Sequence, residues 1–102
     1  MYLVQLLIPV RDESGRRFPR SLYEDLSREL TDRFGGLTAY TRAPAAGLWE
    51  EDSGTTVRDD VVIYEVMTES LDERWWRDLR ARLEREFDQQ ELIIRAQAIH
   101  RL

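Results

Sequence analysis

Cysteine and lysine are both absent from this chain of 102 residues. The first absence removes thiolate nucleophiles, disulfides, thiolate zinc sites and Cys-ligated iron–sulfur clusters, and it leaves compartment unreadable from cysteine usage. The second excludes Schiff-base chemistry and the lysine of a Walker-type phosphate loop. All 15 basic residues are Arg, a bias expected of a GC-rich, bacterial genome. Histidine occurs once, at His100, so one chain cannot build a multi-His metal centre, and a Ser-His-Asp triad would have to use that residue. The chain also lacks a glycine-rich dinucleotide fingerprint, a phosphate loop and a Gly-x-Ser-x-Gly nucleophile elbow. Neither a cofactor nor a bound metal is expected.

Net positive charge is missing as well. With 20 acidic and 15 basic residues the formal charge is −5, so the field that supplies most non-specific nucleic-acid affinity is absent and nucleic acid is disfavoured as a partner. No apolar run approaches the roughly 18 to 20 residues needed to cross a bilayer. The opening MYLVQLLIPV has no basic residue before it and is followed by Arg11-Asp12-Glu13, which reads as a strand rather than a leader. The expectation is a cytoplasmic protein without membrane contact. Apolar residues at 42% and charged residues at 34% suit one ordinary core, a single domain over 1–102.

Residues 2–10 form the first expected strand, and 11–20, with Gly15 and Pro19 among four arginines, an exposed loop. Ser21 and Glu24 have capping-box spacing, and Leu22, Leu26, Leu30 and Phe34 make one helical stripe that Gly35-Gly36 terminates. Residues 37–42 and 61–68 are β-compatible. Ser53-Gly54 divides the segment between them into LWEED and TTVRD, which pair as a ribbon, with 43–47 as a kink or bulge. Ser70 and Glu73 repeat the capping-box spacing before a second stripe of Trp76, Leu79, Leu83 and Phe87. Residues 91–102 supply a fourth strand. Each half thus shows an apolar strand, Ser-x-x-Glu and a helix ending at Phe, a weak internal duplication.

The resulting order resembles the ferredoxin-like split βαβ fold, an α+β class in which a four-stranded antiparallel sheet carries both helices on one face. At this size the chain is similar to the dimeric α+β-barrel superfamily, whose subunits often pair sheet against sheet. The resemblance implies a homodimer, and its enzymes include cofactor-free monooxygenases and isomerases; fold alone does not assign an activity.

Strand alternation then sorts side chains between the helix-covered face and the open one. The open face is expected to hold Leu3, Gln5 and Leu7; Thr38, Tyr40 and Arg42; Ile63, Glu65 and Met67; and Ile93, Arg95, Gln97 and Ile99. Ala96 and Ala98 fall on the helix side, where small residues let a helix approach. Leu3, Leu7, Ile63, Met67, Ile93 and Ile99 together make an apolar patch too large for a solvent-washed face, so an interface is expected there, with a second copy as its simplest cover.

Glu65, acidic within the strongest strand, needs Arg95, Gln5 or Tyr40 as a partner once covered. It reads either as a general acid or base or as part of an interface network. His100 is the other acid–base candidate, and near the C-terminus it also fits an exposed strand end. Tyr40, Arg42, Trp49 and Arg95 are the candidate substrate-binding residues: arginines to stabilise developing negative charge, aromatics to bound a pocket for a small, partly apolar molecule. Two other groupings, Arg11, Arg16, Arg17 and Arg20 in one loop and Glu50-Glu51-Asp52 with Asp59-Asp60, read as solvated charge.

Overall fold

The computed structural model describes residues 1–50 and 56–102, with the side chains of 42–47, 49–50 and 56–59 left out of the description. Six elements follow one another: β1 (Tyr2–Pro9), α1 (Arg20–Phe34), β2 (Thr38–Glu50), β3 (Thr56–Thr68), α2 (Glu73–Glu86) and β4 (Ile93–Ala98). The strands form one antiparallel sheet in the order β2-β3-β1-β4. This is the ferredoxin-like βαββαβ arrangement.

Alternation in β1 and β3 builds the core. Val4, Leu6 and Ile8 point to the same side as Val62, Tyr64 and Val66, and all six are buried against Leu26 and Leu30 of α1 and Trp76, Leu79 and Leu83 of α2. Both helices therefore cover one sheet face. Phe87, fully buried just past α2, packs edge-to-face with Phe18 and Tyr23 at centroid distances of 5.1 and 5.4 Å. Phe34 stacks on Trp76 at 5.1 Å, while Trp75 sits at the helix flank beneath Arg33.

Neither helix starts at its expected box. α1 begins at Arg20 behind Pro19, with no side-chain cap, so Ser21 already lies inside the first turn. The fixed backbone of Pro19 places its carbonyl to accept from Leu22 N at 3.1 Å, and the turn closes without the serine. At α2 the cap is Asp72, whose carboxylate accepts from Trp75 N at 3.1 Å. A carboxylate caps as well as a hydroxyl and adds its charge to the positive helix end, so it displaces Ser70 two residues upstream. The terminus of α1 matches expectation: Gly35 has φ 78°, the left-handed conformation a side chain disfavours, and donates to Thr31 O.

β2 and β3 outrun the sheet. β1 stops pairing with β3 at Pro9–Val61, whereas β2 and β3 continue together from Ala45–Val61 to Glu50–Thr56. The expected ribbon exists in this described part, and the expected kink appears as a register shift between Tyr40 and Ala45. Ser53-Gly54 lies outside the described residues.

Candidate functional site

The register lines up the open face in rows. Leu3 lies between Met67 and Gln97, Gln5 between Glu65 and Arg95, and Leu7 between Ile63 and Ile93; Thr38 and Tyr40 of β2 oppose Glu65 and Ile63. The middle row is joined by hydrogen bonds. Arg95 Nε donates to Gln5 Oε1 at 2.9 Å, and Gln5 Nε2 donates to Glu65 Oε1 at 2.6 Å. Tyr40 Oη then donates to Glu65 Oε2 at 3.3 Å, reaching across from the neighbouring row.

Gln5 is the hinge of this arrangement. Its amide presents an acceptor to the guanidinium and a donor to the carboxylate, so a cation and an anion on strands either side of β1 are linked without touching. Glu65 and Gln5 are half-buried, and Arg95 is exposed. Apolar side chains flank the row on both sides: Leu3, Leu7 and Ile63 are half-buried, while Met67 and Ile93 retain 47% and 43% of their exposure and the Tyr40 ring 52%. Such a face offers a charged and hydrogen-bonding centre inside an apolar field, fit to hold a small molecule with both characters or to meet another apolar surface.

Three sequence-picked residues, Tyr40, Glu65 and Arg95, thus come together. His100 does not join them: it lies two residues beyond β4, is exposed, and takes part in no hydrogen bond or ion pair among the described residues. Ile99 is half-buried just past β4, its backbone N donating to Met1 O. Arg42 and Trp49 occupy β2 positions whose side chains lie outside the described residues, as do the side chains of Glu50, Glu51, Asp52 and Asp59. Among the described residues no group of three or more His, Asp or Glu gathers to hold a metal.

The displaced protonation equilibria sit away from this face. Burial, reinforced by Tyr64, pushes the Tyr23 phenol up to about 12, and its hydroxyl donates to Pro9 O at 2.6 Å. The Ser14 hydroxyl, with backbone N–H groups of Arg16 and Ser14, holds Asp12 below the usual carboxylate range and closes the loop at 12–16 on itself. Arg82 is raised by its hydrogen bond to Glu29, which joins the two helices.

Sequence reasoning missed one feature. Ala96 and Ala98 face the helix side as expected, yet they are exposed rather than packed under a helix. Between β4 and α2 a groove of about 280 Å³ opens instead, floored by Val4, Trp76, Ile94 and Ala96 and rimmed by Arg77 and Arg80. The signal lay in the pairing of a small residue, Ala96, on an outer strand with Arg77 and Arg80 on one helix flank: a small side chain leaves space, and charged ones do not fill it.

No protein-family model matches the chain, and no curated protein does. Among solved structures it is similar to a phage SAM lyase in complex with S-methyl-5'-thioadenosine, with a TM-score of 0.61 and 16% identity over 94% of this chain and 79% of that one. The same kind of enzyme in its apo state gives a TM-score of 0.55 at 14% identity, covering 94% and 78%. The likeness is one of fold.

Proposed function

We propose that the open sheet face is the working surface of a bacterial, cytoplasmic protein, closed by a second copy of the chain so that the aliphatic rows pack and the polar row is enclosed. The observation that carries this reading is the hydrogen-bonded row Tyr40–Glu65–Gln5–Arg95 set among exposed Met67 and Ile93 and half-buried Leu3, Leu7 and Ile63. Apolar side chains in that number gain by leaving water, at about 25 cal/mol per Å² of area covered. Native mass spectrometry tests it. The expected species has an even number of 12.1 kDa chains, and Leu7→Arg halves its mass. An unchanged assembly in that variant rejects the face as the interface.

A second reading is supported by the shared fold with a phage SAM lyase: a cofactor-independent enzyme that acts on a small, partly apolar molecule by proton transfer. Glu65, held by Tyr40 as its hydrogen-bonding neighbour, exchanges the proton with substrate, and Arg95 steadies negative charge through the N–H groups that have no partner among the described residues. Arg42 and Trp49, the substrate-binding candidates of the sequence, and His100, its other acid–base candidate, belong to this reading. A sulfonium substrate such as S-adenosylmethionine suits the row, with its cationic sulfur toward Glu65 and its carboxylate toward Arg95. Glu65 takes a proton from the amino-acid carbon next to the S-bearing carbon, the freed electron pair forms a C=C bond, and the C–S bond breaks to release the neutral thioether. Incubation with S-adenosylmethionine and chromatography of the nucleoside products tests it. Release of methylthioadenosine that is lost in Glu65→Gln supports the enzyme reading; no turnover by the wild-type protein rejects that substrate.

A further inference from the structure

The two outer strands of the sheet are finished differently. β2 is interrupted by its register shift between Tyr40 and Ala45, in a stretch that contains Pro44, and both features discourage a further strand. β4 carries no proline, no bulge and one charge, Arg95, whose side chain is drawn onto the open face by Gln5. Its other edge is unpaired among the described residues.

Which backbone groups face that edge follows from the hydrogen bonding. Ile99 N donates to Met1 O, so the Met1–Ile99 position is a hydrogen-bonded pair. Antiparallel pairs alternate, so Leu3–Gln97, Gln5–Arg95 and Leu7–Ile93 are hydrogen-bonded too, and the N–H and C=O groups of Ile94, Ala96 and Ala98 point outward. The side chains of the same three residues face the helix side, where the groove beside α2 stands open.

We propose that a second copy of this chain pairs its own β4 antiparallel to this one, about a two-fold axis at Ala96, and so joins two four-stranded sheets into one of eight. The register is decided by the side chains. With Ala96 opposite the second copy's Ala96, Ile94 meets Ala98, Arg95 meets Gln97 and Ile93 meets Ile99, so that no like charges oppose and an apolar pair closes each end. Sliding one way sets Arg95 against Arg95, and like charges directly opposite are destabilising. Sliding the other way runs the pairing off the end of the strand and sets Arg95 against Ile99. In the favoured register the second copy's Ile94 lies over Ala98 and its Ala96 beside Ala96, at the end of the groove that Ala96 lines. The surface used is distinct from the open sheet face, and the pairing does not rest on the function proposed for that face.

Because the chain contains no Cys, one introduced thiol reports the geometry without interference. Across the axis the two Ala96 Cα atoms stand about 5.5 Å apart, within disulfide reach, whereas the two Ala98 Cα atoms are separated by four residues of strand, about 14 Å. Ala96 and Ala98 are both exposed in the single chain, so either accepts Cys without disturbing the core. Under mild oxidation at micromolar concentration, Ala96→Cys is expected to form a covalent dimer at least about tenfold faster than Ala98→Cys. The preference persists when Leu7→Arg is added, which separates this pairing from assembly through the sheet face. Equal rates at the two positions, faster linking at Ala98→Cys, or no cross-linking at either, overturn the proposal.

Discussion

The sharpest test of the sheet-face reading is to replace Glu65 by Leu. The carboxylate accepts from Gln5 Nε2 and from Tyr40 Oη, so its removal strands two donors while adding an aliphatic side chain to a face already rich in them. The cost depends entirely on what covers the row. If water reaches the face, both donors bind water instead and stability changes by no more than about 0.5 kcal/mol. Under a second copy each stranded donor costs about 1–3 kcal/mol, and the pair about 2–4 kcal/mol per chain once the added apolar burial is offset. For a domain of this size each kcal/mol moves the Tm by roughly 4–8 °C, so the covered case shows a fall of about 10 °C or more.

Glu65→Gln supplies the internal comparison. Its amide oxygen still accepts from Gln5 and its NH2 group can donate to Tyr40, so a charge-assisted arrangement becomes a neutral one at a cost of about 1 kcal/mol. Unfolding is followed at two protein concentrations, because an assembly is stabilised by mass action and a lone chain is not. At high concentration the expected order of stability is wild type, then Gln, then Leu. On dilution to single chains the Leu penalty disappears. A Leu penalty below about 0.5 kcal/mol in the concentrated sample would refute the claim that this row is enclosed.

Two further outcomes follow from groups outside the face. Tyr23→Phe removes the hydrogen bond to Pro9 O and is expected to cost about 1 kcal/mol at neutral pH. The folded chain holds the Tyr23 phenol protonated up to about 12 against an ordinary 10.0, so the stability this contributes is complete below pH 10 and is lost as pH rises through 12. Urea titrations across that window should fall more steeply for the wild type than for the variant, and equal slopes would remove Tyr23 as the cause. At the start of α2, Asp72→Ala is expected to cost about 1 kcal/mol and Ser70→Ala under about 0.5 kcal/mol, the reverse of what the Ser70–Glu73 spacing suggests. Thermal unfolding of the two variants settles which residue caps.

The open face was legible from sequence because alternation in β1 and β3 is a one-bit signal: a shift of one residue would have sent Gln5 and Glu65 into the core, where burying a carboxylate is costly. Val4, Leu6 and Ile8 on one side of β1 and Leu3, Gln5 and Leu7 on the other leave a single consistent answer. The helix starts were less legible, since Ser, Thr and Asp cap with similar strength and the winner depends on where the chain leaves the preceding strand. Asp72 wins where Thr68 Oγ1 has already drawn Ser70 O into a turn. The alanines misled for a different reason: small side chains permit close packing without requiring it. At an outer strand, with Arg77 and Arg80 on the facing helix flank, the space beside Ala96 remains open.

A polar row in an apolar field has a physical use whichever partner covers it. Aliphatic rows alone attract any apolar surface at many offsets, because burial is non-directional. The row adds direction. Its cation is at β4 and its anion at β3, with Gln5 fixing the polarity between them, so a covering surface or ligand must bring its own acceptor near Arg95 and its own donor near Glu65. A second copy related by a two-fold axis parallel to the strands meets that demand: it sets β1 over β3 and lays Gln5 of one chain against Glu65 of the other. An axis perpendicular to the strands would stack Glu65 on Glu65 and Arg95 on Arg95, and like charges meeting in an enclosed interface are costly. The same polarity orients a zwitterionic molecule, carboxylate toward Arg95 and cationic centre toward Glu65. Reversing it by the exchange Glu65→Arg with Arg95→Glu should therefore keep the self-complementarity of two copies while turning any bound zwitterion end for end, so retained assembly with the ligand bound in the opposite orientation would assign the row to recognition rather than to pairing.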